Sequence, residues 1–216
     1  MGPVRAELAV ASCRHRGAIV AGLDEVGRGP LAGPVVAAAV VLSSGDSIEG
    51  LDDSKRLSDR RRRELASVIV ARAAAIGLGR AEVGEVDRYN VLNASLLAME
   101  RAVRRLRVVP DHVYVDGNVA PVVAGEAHVV VKGDGIYAEI AAASIIAKVA
   151  RDDEMIGLDR IWPGYGFARH KGYPTAMHLN RLRCLGVSAV HRRSFGPVER
   201  VRTSMGRALM ERKHDE

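Results

Sequence analysis

Cysteine is nearly absent from this chain. Cys13 and Cys184 are the only two, they form no CxxC, and they indicate no disulfide framework. That usage points to a reducing, cytoplasmic location. Aromatic residues make up only 4% of the 216 residues, so the core must be aliphatic, and a hydrophobic content of 48% supplies it. No apolar run approaches the roughly 18 residues that a membrane span needs. Met1 to Arg16 mixes charges and lacks a signal-peptide core. Gly2 is followed by Ala6 rather than Ser or Thr, so myristoylation is not indicated. No His/Cys set stands at zinc spacing. A Ser-His-Asp signature and a GxxxxGKS/T phosphate loop are also missing. There is no internal repeat and no low-complexity linker.

What is present is basic. Lys plus Arg exceed Asp plus Glu by 32 − 26 = 6, and the pI is near 9.7, which suits a polyanion such as nucleic acid. The bases are spread widely, whereas acids gather at turn-like motifs. The most informative stretch runs from Ala21 to Pro34 (AGLDEVGRGPLAGP). There Asp24 and Glu25 stand where an apolar run meets a glycine-rich turn. Burying a carboxylate without a partner is costly, so a cation, a metal or water must be supplied nearby. Taken alone, the pair reads better as a strand end with solvated acids. Two later Asp-Gly breaks of the same form, Asp116-Gly117 and Asp134-Gly135, reverse that preference.

Hydrophobic patterning predicts strands over Ala18–Leu23, Gly33–Leu42, Ile76–Val83, His112–Val115 and Ala127–Val131. The first three imply an antiparallel meander. Helices are predicted over Asp59–Ala74 with Ser58 as N-cap, Asn90–Leu106, Ala138–Leu158, Thr175–Leu185 and Val198–Glu211. Leu92, Leu96, Met99, Val103 and Leu106 form a stripe expected in the core. The result is an α/β fold: a mixed five-stranded sheet flanked by helices, with a helical C-terminal extension. The expected organisation is an N-terminal arm (1–17), a catalytic domain (18–160) and an extension (161–216) packed on the same domain.

Strand ends in an open α/β sheet gather at one edge, where ligands bind. Asp24, Glu25, Asp116 and Asp134 converging there would repel one another without a counter-charge. Mg²⁺ or Mn²⁺ fits an all-oxygen donor set, and two such ions can drive phosphodiester hydrolysis. Among the bases, Arg60 to Arg63 reads as a solvated face or a phosphate contact. Lys148 and Arg151 share a helix face with Ser144, toward a nucleic-acid groove or toward Asp152 and Glu154. Arg192 and Arg193 read equally well as duplex contacts or as a solvated turn.

These residues carry a resemblance. GLDEVGRGPLAGPVVAAAVVL, DDSKRLS, YNVLNASLLAM, VDGN, VKGD, EIAAASIIAKVARD, YGFARHKGYPT and HRRSFGPV occur in order between residues 18 and 198. Together they resemble bacterial ribonuclease HII, the type 2 ribonuclease H. The resemblance implies a ribonuclease H-like fold and endonucleolytic cleavage of the RNA strand in RNA/DNA hybrids. It also implies incision 5′ of single ribonucleotides embedded in duplex DNA, leaving 3′-hydroxyl and 5′-phosphate ends. It maps the four catalytic and metal-binding acids onto Asp24, Glu25, Asp116 and Asp134, with Mg²⁺ or Mn²⁺ as cofactor. Gly27, Arg28 and Gly29 then form a loop that works with Tyr173 at the RNA–DNA junction. Read from their own position, Ser54 and Lys55 hold a phosphate near the cut or form a turn that caps the Asp59 helix, and Lys148 keeps the two readings given above. Expected partners are the hybrid and ribonucleotide-containing duplex DNA, bound by a monomer with no membrane contact. Two rivals are a ribonuclease HIII-like enzyme and a non-catalytic hybrid-binding module. Arg28, in place of lysine, and the short arm speak against the first; the intact acids speak against the second.

Overall fold

A computed structural model describes residues 8–11, 15, 17–43, 48–52 and 54–204. It contains a five-stranded sheet in the order β3-β2-β1-β4-β5. The strands are β1 (Val20–Val26), β2 (Val35–Leu42), β3 (Ala73–Ala81), β4 (His112–Asp116) and β5 (Glu126–Val130). β1 is antiparallel to β2 and parallel to β4, and β4 is parallel to β5, so the sheet is mixed. Helices α1 (Asp59–Arg72), α2 (Val83–Arg104), α3 (Ala138–Ile161), α4 (Phe167–His170) and α5 (Ala176–Leu185) complete the named elements, and 196–204 is also helical. No helix among the described residues is long and apolar enough to cross a membrane.

Several expectations shift. β1 runs past its predicted end at Leu23, through Asp24 and Glu25 to Val26, in continuous register with β2. The first three strands do lie side by side as expected, with the predicted helix, now α1, joining β2 to β3. α1 starts as expected: the Ser58 side chain accepts from Arg61 N. α2 begins earlier than predicted and breaks at Asn90 (φ 68°, ψ 167°). Asn90 Oδ1 there accepts from Leu92 N at 2.9 Å and Asn93 N at 3.1 Å, acting as an internal N-cap. The segment after the break carries the predicted stripe in part: Met99, Val103 and Leu106 are buried and Leu96 is half-buried. Leu92 is exposed, and the buried face is Ala94, Ala98, Met99, Ala102, Val103 and Leu106. The predicted end of the last helix, like Cys13, lies outside the described residues.

The chain clusters into two compact units. The first comprises Met1–Val26, Val36–Arg80 and Ser95–Ala150. Its core joins β2 (Ala38, Val40, Leu42), α1 (Leu65, Ile69) and the alanine-rich face of α3. Helices reach the sheet through glycines. A Cβ on Gly22 would lie 2.0 Å from the Glu139 carbonyl carbon, and one on Gly79 2.0 Å from the Ala98 oxygen. The second unit comprises Gly27–Val35, Ala81–Ala94 and Arg151–Glu216. One of its clusters joins Ala32, Met155, Tyr165 and Phe167; another joins Leu31, Leu182 and Val198.

Candidate active site

In the first unit the parallel register brings the acids together. Leu23 pairs with Val115, so Asp24 and Asp116 are next along neighbouring strands. Asp116 pairs with Val130 at the end of β5, and the chain then turns through Lys132 (φ 58°) into a single 3₁₀ turn, Gly133–Gly135. Gly133 N–H donates to Asp116 Oδ1 at 2.7 Å, which seats Asp134 one residue from that contact. Three distant segments therefore end at one sheet edge. Strand alternation starts Asp24 and Glu25 on opposite faces. The Asp24 carboxylate turns back to accept from Glu25 N at 2.7 Å.

Asp24 is 6% exposed. Burial, then Glu25, and further Asp116 raise its carboxyl well above the usual range, against hydrogen bonds from Ser144 and the Glu25 amide. The groups acting on it are thus two carboxylates, a hydroxyl and an amide. A divalent cation would relieve this repulsion, and the all-oxygen donor set suits a hard ion.

Behind Asp24 stands a polar chain. Ser144 Oγ on α3 lies 2.9 Å from Ser54 Oγ, and both serines are buried. Arg62 fixes this segment: its Nε donates to Ser54 O at 3.0 Å and its Nη2 to Leu57 O at 2.9 Å. Ser54 therefore faces inward to Ser144, while Lys55 is exposed and Lys148 half-buried. Arg62 also corrects the solvated reading of its run. Arg60 and Arg63 do pair on the surface, with Glu64 and Asp59, but Arg62 is 8% exposed. Ser144 was detectable as the only serine or threonine in the helix Ala138–Ile161.

The second unit holds the glycine loop. Arg151 and Arg192, each 0% exposed, grip its backbone. Arg192 donates to Gly33 O at 2.9 Å, Arg28 O at 3.0 Å and Gly27 O at 2.6 Å. Arg151 donates to Pro34 O at 3.0 Å, Ala32 O at 3.2 Å and Lys171 O at 3.0 Å. Arg192 is thus neither a duplex contact nor part of a solvated turn, and Arg151 turns inward rather than to a groove, with Asp152 and Glu154 among the charges acting on it; the carbonyls replace water around each guanidinium. Burial lowers both pKa values, and in Arg192 the charge of Arg151 adds to the effect. Gly27 has φ +99°, and a Cβ there would sit 2.2 Å from Arg151 Nε, so only glycine fits. Arg28 and Gly29 are exposed. The Tyr173 ring, 39% exposed, reaches within 3.6 Å of the position of a Cβ on Gly29.

Tyr173 is held by histidines that no sequence motif joins. A carbonyl can only accept, so His178 Nδ1–H donates to Tyr173 O at 3.0 Å. His178 Nε2 must then accept from His191 Nε2–H at 3.1 Å. His191 Nδ1 in turn accepts from Ser188 N at 3.1 Å, with Ser188 Oγ at 2.7 Å. Each ring thus has one donor and one acceptor role, which requires the neutral form. Burial, above all, takes both pKa values down to about 4, and each ring is lowered further by a neighbouring histidine. His170 stacks on His178 with centroids 4.2 Å apart.

The comparisons with known proteins agree with this architecture. The family model described as ribonuclease HII matches residues 21–198. Ribonuclease H2 from Pyrococcus horikoshii OT3 is 27% identical, with a TM-score of 0.70 over 84% of this chain and 96% of that one. Ribonuclease HII of Archaeoglobus fulgidus, solved in a complex with PCNA, is 28% identical, with a TM-score of 0.68 over 81% and 93% of the two chains. Bst ribonuclease HIII, solved with Mn²⁺, shares the fold at 19% identity and a TM-score of 0.68, over 91% and 73%. With the family match spanning most of its length and a ribonuclease H-like sheet beneath it, this chain belongs to the ribonuclease HII family and is a ribonuclease H, an endonuclease of RNA/DNA hybrids.

Proposed function

We propose that this enzyme cuts the RNA strand of hybrids and also incises 5′ of single ribonucleotides embedded in duplex DNA, leaving 3′-hydroxyl and 5′-phosphate ends. Its role is then removal of misincorporated ribonucleotides. The supporting observation is the meeting of Asp24, Glu25, Asp116 and the Asp134 turn at one sheet edge, around a buried and mutually repelling carboxylate. Asp24, Glu25 and Asp116 are the proposed principal ligands of Mg²⁺ or Mn²⁺, and Asp134 assists at a second ion. When bound, such a pair of ions supplies activation of water and stabilisation of the leaving oxygen.

The chain's own residues do the rest. Ser144 donates to Asp24, which orients the carboxylate and favours its ionised form against the upward pull of burial, with Ser54 and Arg62 holding Ser144 in turn. In the second unit, Gly27 and Gly29 leave backbone open to a 2′-hydroxyl, the feature that separates RNA from DNA. Arg28 and the Tyr173 ring are proposed to flank the ribose. Lys55 and Lys148 are proposed to meet backbone phosphates, so binding should weaken steeply with salt. The exposed thiol of Cys184 supports a reducing, cytoplasmic setting.

The test is a duplex carrying one embedded ribonucleotide, incubated with Mg²⁺ or Mn²⁺. Incision on its 5′ side supports the reading, and an intact strand overturns it. Tyr173→Ala should lower that incision more than tenfold. Incision at the parent rate removes Tyr173 from the sugar-reading role.

A further inference from the structure

Among the described residues, the three potential metal ligands that approach one another within 4.8 Å are not the acids but His15, His112 and His128. The sequence reading, which found no zinc spacing, missed them because 97 and 16 residues separate them in the chain. The fold supplies the proximity. In the β4–β5 register His112 pairs with Glu126 and Tyr114 with His128, so alternation sets all four side chains on one sheet face. The N-terminal segment then adds His15.

We propose that these histidines form a second metal site, for a borderline divalent cation of the Zn²⁺ type, which clamps the N-terminal segment to β4 and β5. His112 Nδ1 and His128 Nε2 are 3.1 Å apart. Tetrahedral zinc with bonds of 2.0–2.1 Å places its ligand atoms about 3.3 Å apart. The His15 ring stacks on His112 with centroids at 3.7 Å, and its Nε2 lies 3.0 Å from Tyr114 OH. Glu126 Oε2 lies 3.5 Å from His112 Nδ1 and 3.9 Å from His128 Nε2 but outside the three-histidine cluster, so water completes the coordination. Metal entry exchanges the His112–His128 and His15–Tyr114 hydrogen bonds for coordination. Imidazoles select zinc, copper or nickel, whereas carboxylates select magnesium or manganese. The two sites therefore differ in the metal they take. They also differ in place: His112 and Asp116 are four residues apart on one strand, roughly 13 Å. The clamp reinforces existing ties, since Ala9 bridges to Tyr137 and Ala11 N donates to Glu139 at 2.9 Å.

The test uses tag-free, full-length protein stripped with chelator and titrated with Zn²⁺ in excess Mg²⁺, which occupies the carboxylates. One Zn²⁺ per chain is expected. Co²⁺ should give the intense visible absorption of a tetrahedral, nitrogen-ligated ion. His112→Ala with His128→Ala should weaken Zn²⁺ binding by more than about 100-fold, beyond the loss of an outer-shell partner. His112→Asn with His128→Asn serves as a second pair that keeps polarity, with circular dichroism checking the fold of both. Absence of saturable Zn²⁺ binding, an octahedral Co²⁺ spectrum, or folded variants that bind as the parent does would overturn the site.

Discussion

Asp24 and Arg192 are both buried charges, yet their surroundings differ in kind. Arg192 lies among three backbone carbonyls that replace its hydration. Asp24 lies beside two other carboxylates, with only a hydroxyl and an amide in its favour. One unit compensates its charge internally, and the other leaves the charge to be balanced by a ligand. A buried ion is therefore no mark of function by itself; the sign of what surrounds it decides.

The sharpest way to break this contrast is to neutralise the acid site. Asp24→Asn, or Asp116→Asn, should lower kcat by about 10³-fold or more, equivalent to about 4 kcal/mol, while hybrid binding persists. Gel shift and single-turnover cleavage measure the two halves. Retained activity in either variant removes that residue from the site. On the other side, Arg192→Ala should destabilise the protein by about 3 kcal/mol, because three carbonyls lose their donor. Arg192→Lys should recover little, since an ammonium cannot span three acceptors in a plane. Urea midpoints report both.

Smaller effects sharpen the comparison. Ser144→Ala removes a hydrogen bond that favours ionised Asp24, and Mn²⁺ affinity should fall about 10- to 100-fold, as for other outer-shell partners. Calorimetric titration of the variant, folded as the parent is, gives the answer. For the second unit the expectation concerns pH. His178 and His191 have folded pKa values near 4, below the ordinary 6.5. The unfolded chain binds protons that the folded one refuses between those values. Stability is then full above pH 6.5 and declines toward pH 4, by up to about 1.4 kcal/mol per pH unit for each ring. Amide exchange at Ser188 and His178 should accelerate over that window; a flat profile contradicts the neutral-ring arrangement.

The acid side of the contrast was legible in the sequence because strand ends announce themselves. An apolar run meets Asp-Glu, and short apolar runs lead to Asp-Gly, so β1, β4, β5 and their acids follow from local pattern. Arg151 was read toward a groove or its acidic neighbours because nothing local marks the carbonyls it meets, and Arg192 and Arg62 were read as surface because a basic run carries no sign of which member turns inward. That depends on carbonyls brought from Gly27–Pro34, more than a hundred residues away from Arg151 and Arg192. Asn90 was legible as a helix start, but the helical turns from Val83 that precede it, set off by its positive φ, were not. The histidine pairs were invisible for the same reason: their partners are set by register and tertiary contact.

The glycine at position 22 has a consequence for how accurately the acids can be held. Its missing methyl lets the backbone of α3 rest on the backbone of β1 at Glu139, five residues before the serine that steadies Asp24. Peptide units pressed together cannot repack as side chains do. Any larger residue there must lift the helix bodily, carrying Ser144 away from its carboxylate. The placement of Ser144 against Asp24 thus rests on a single hydrogen atom on an α-carbon.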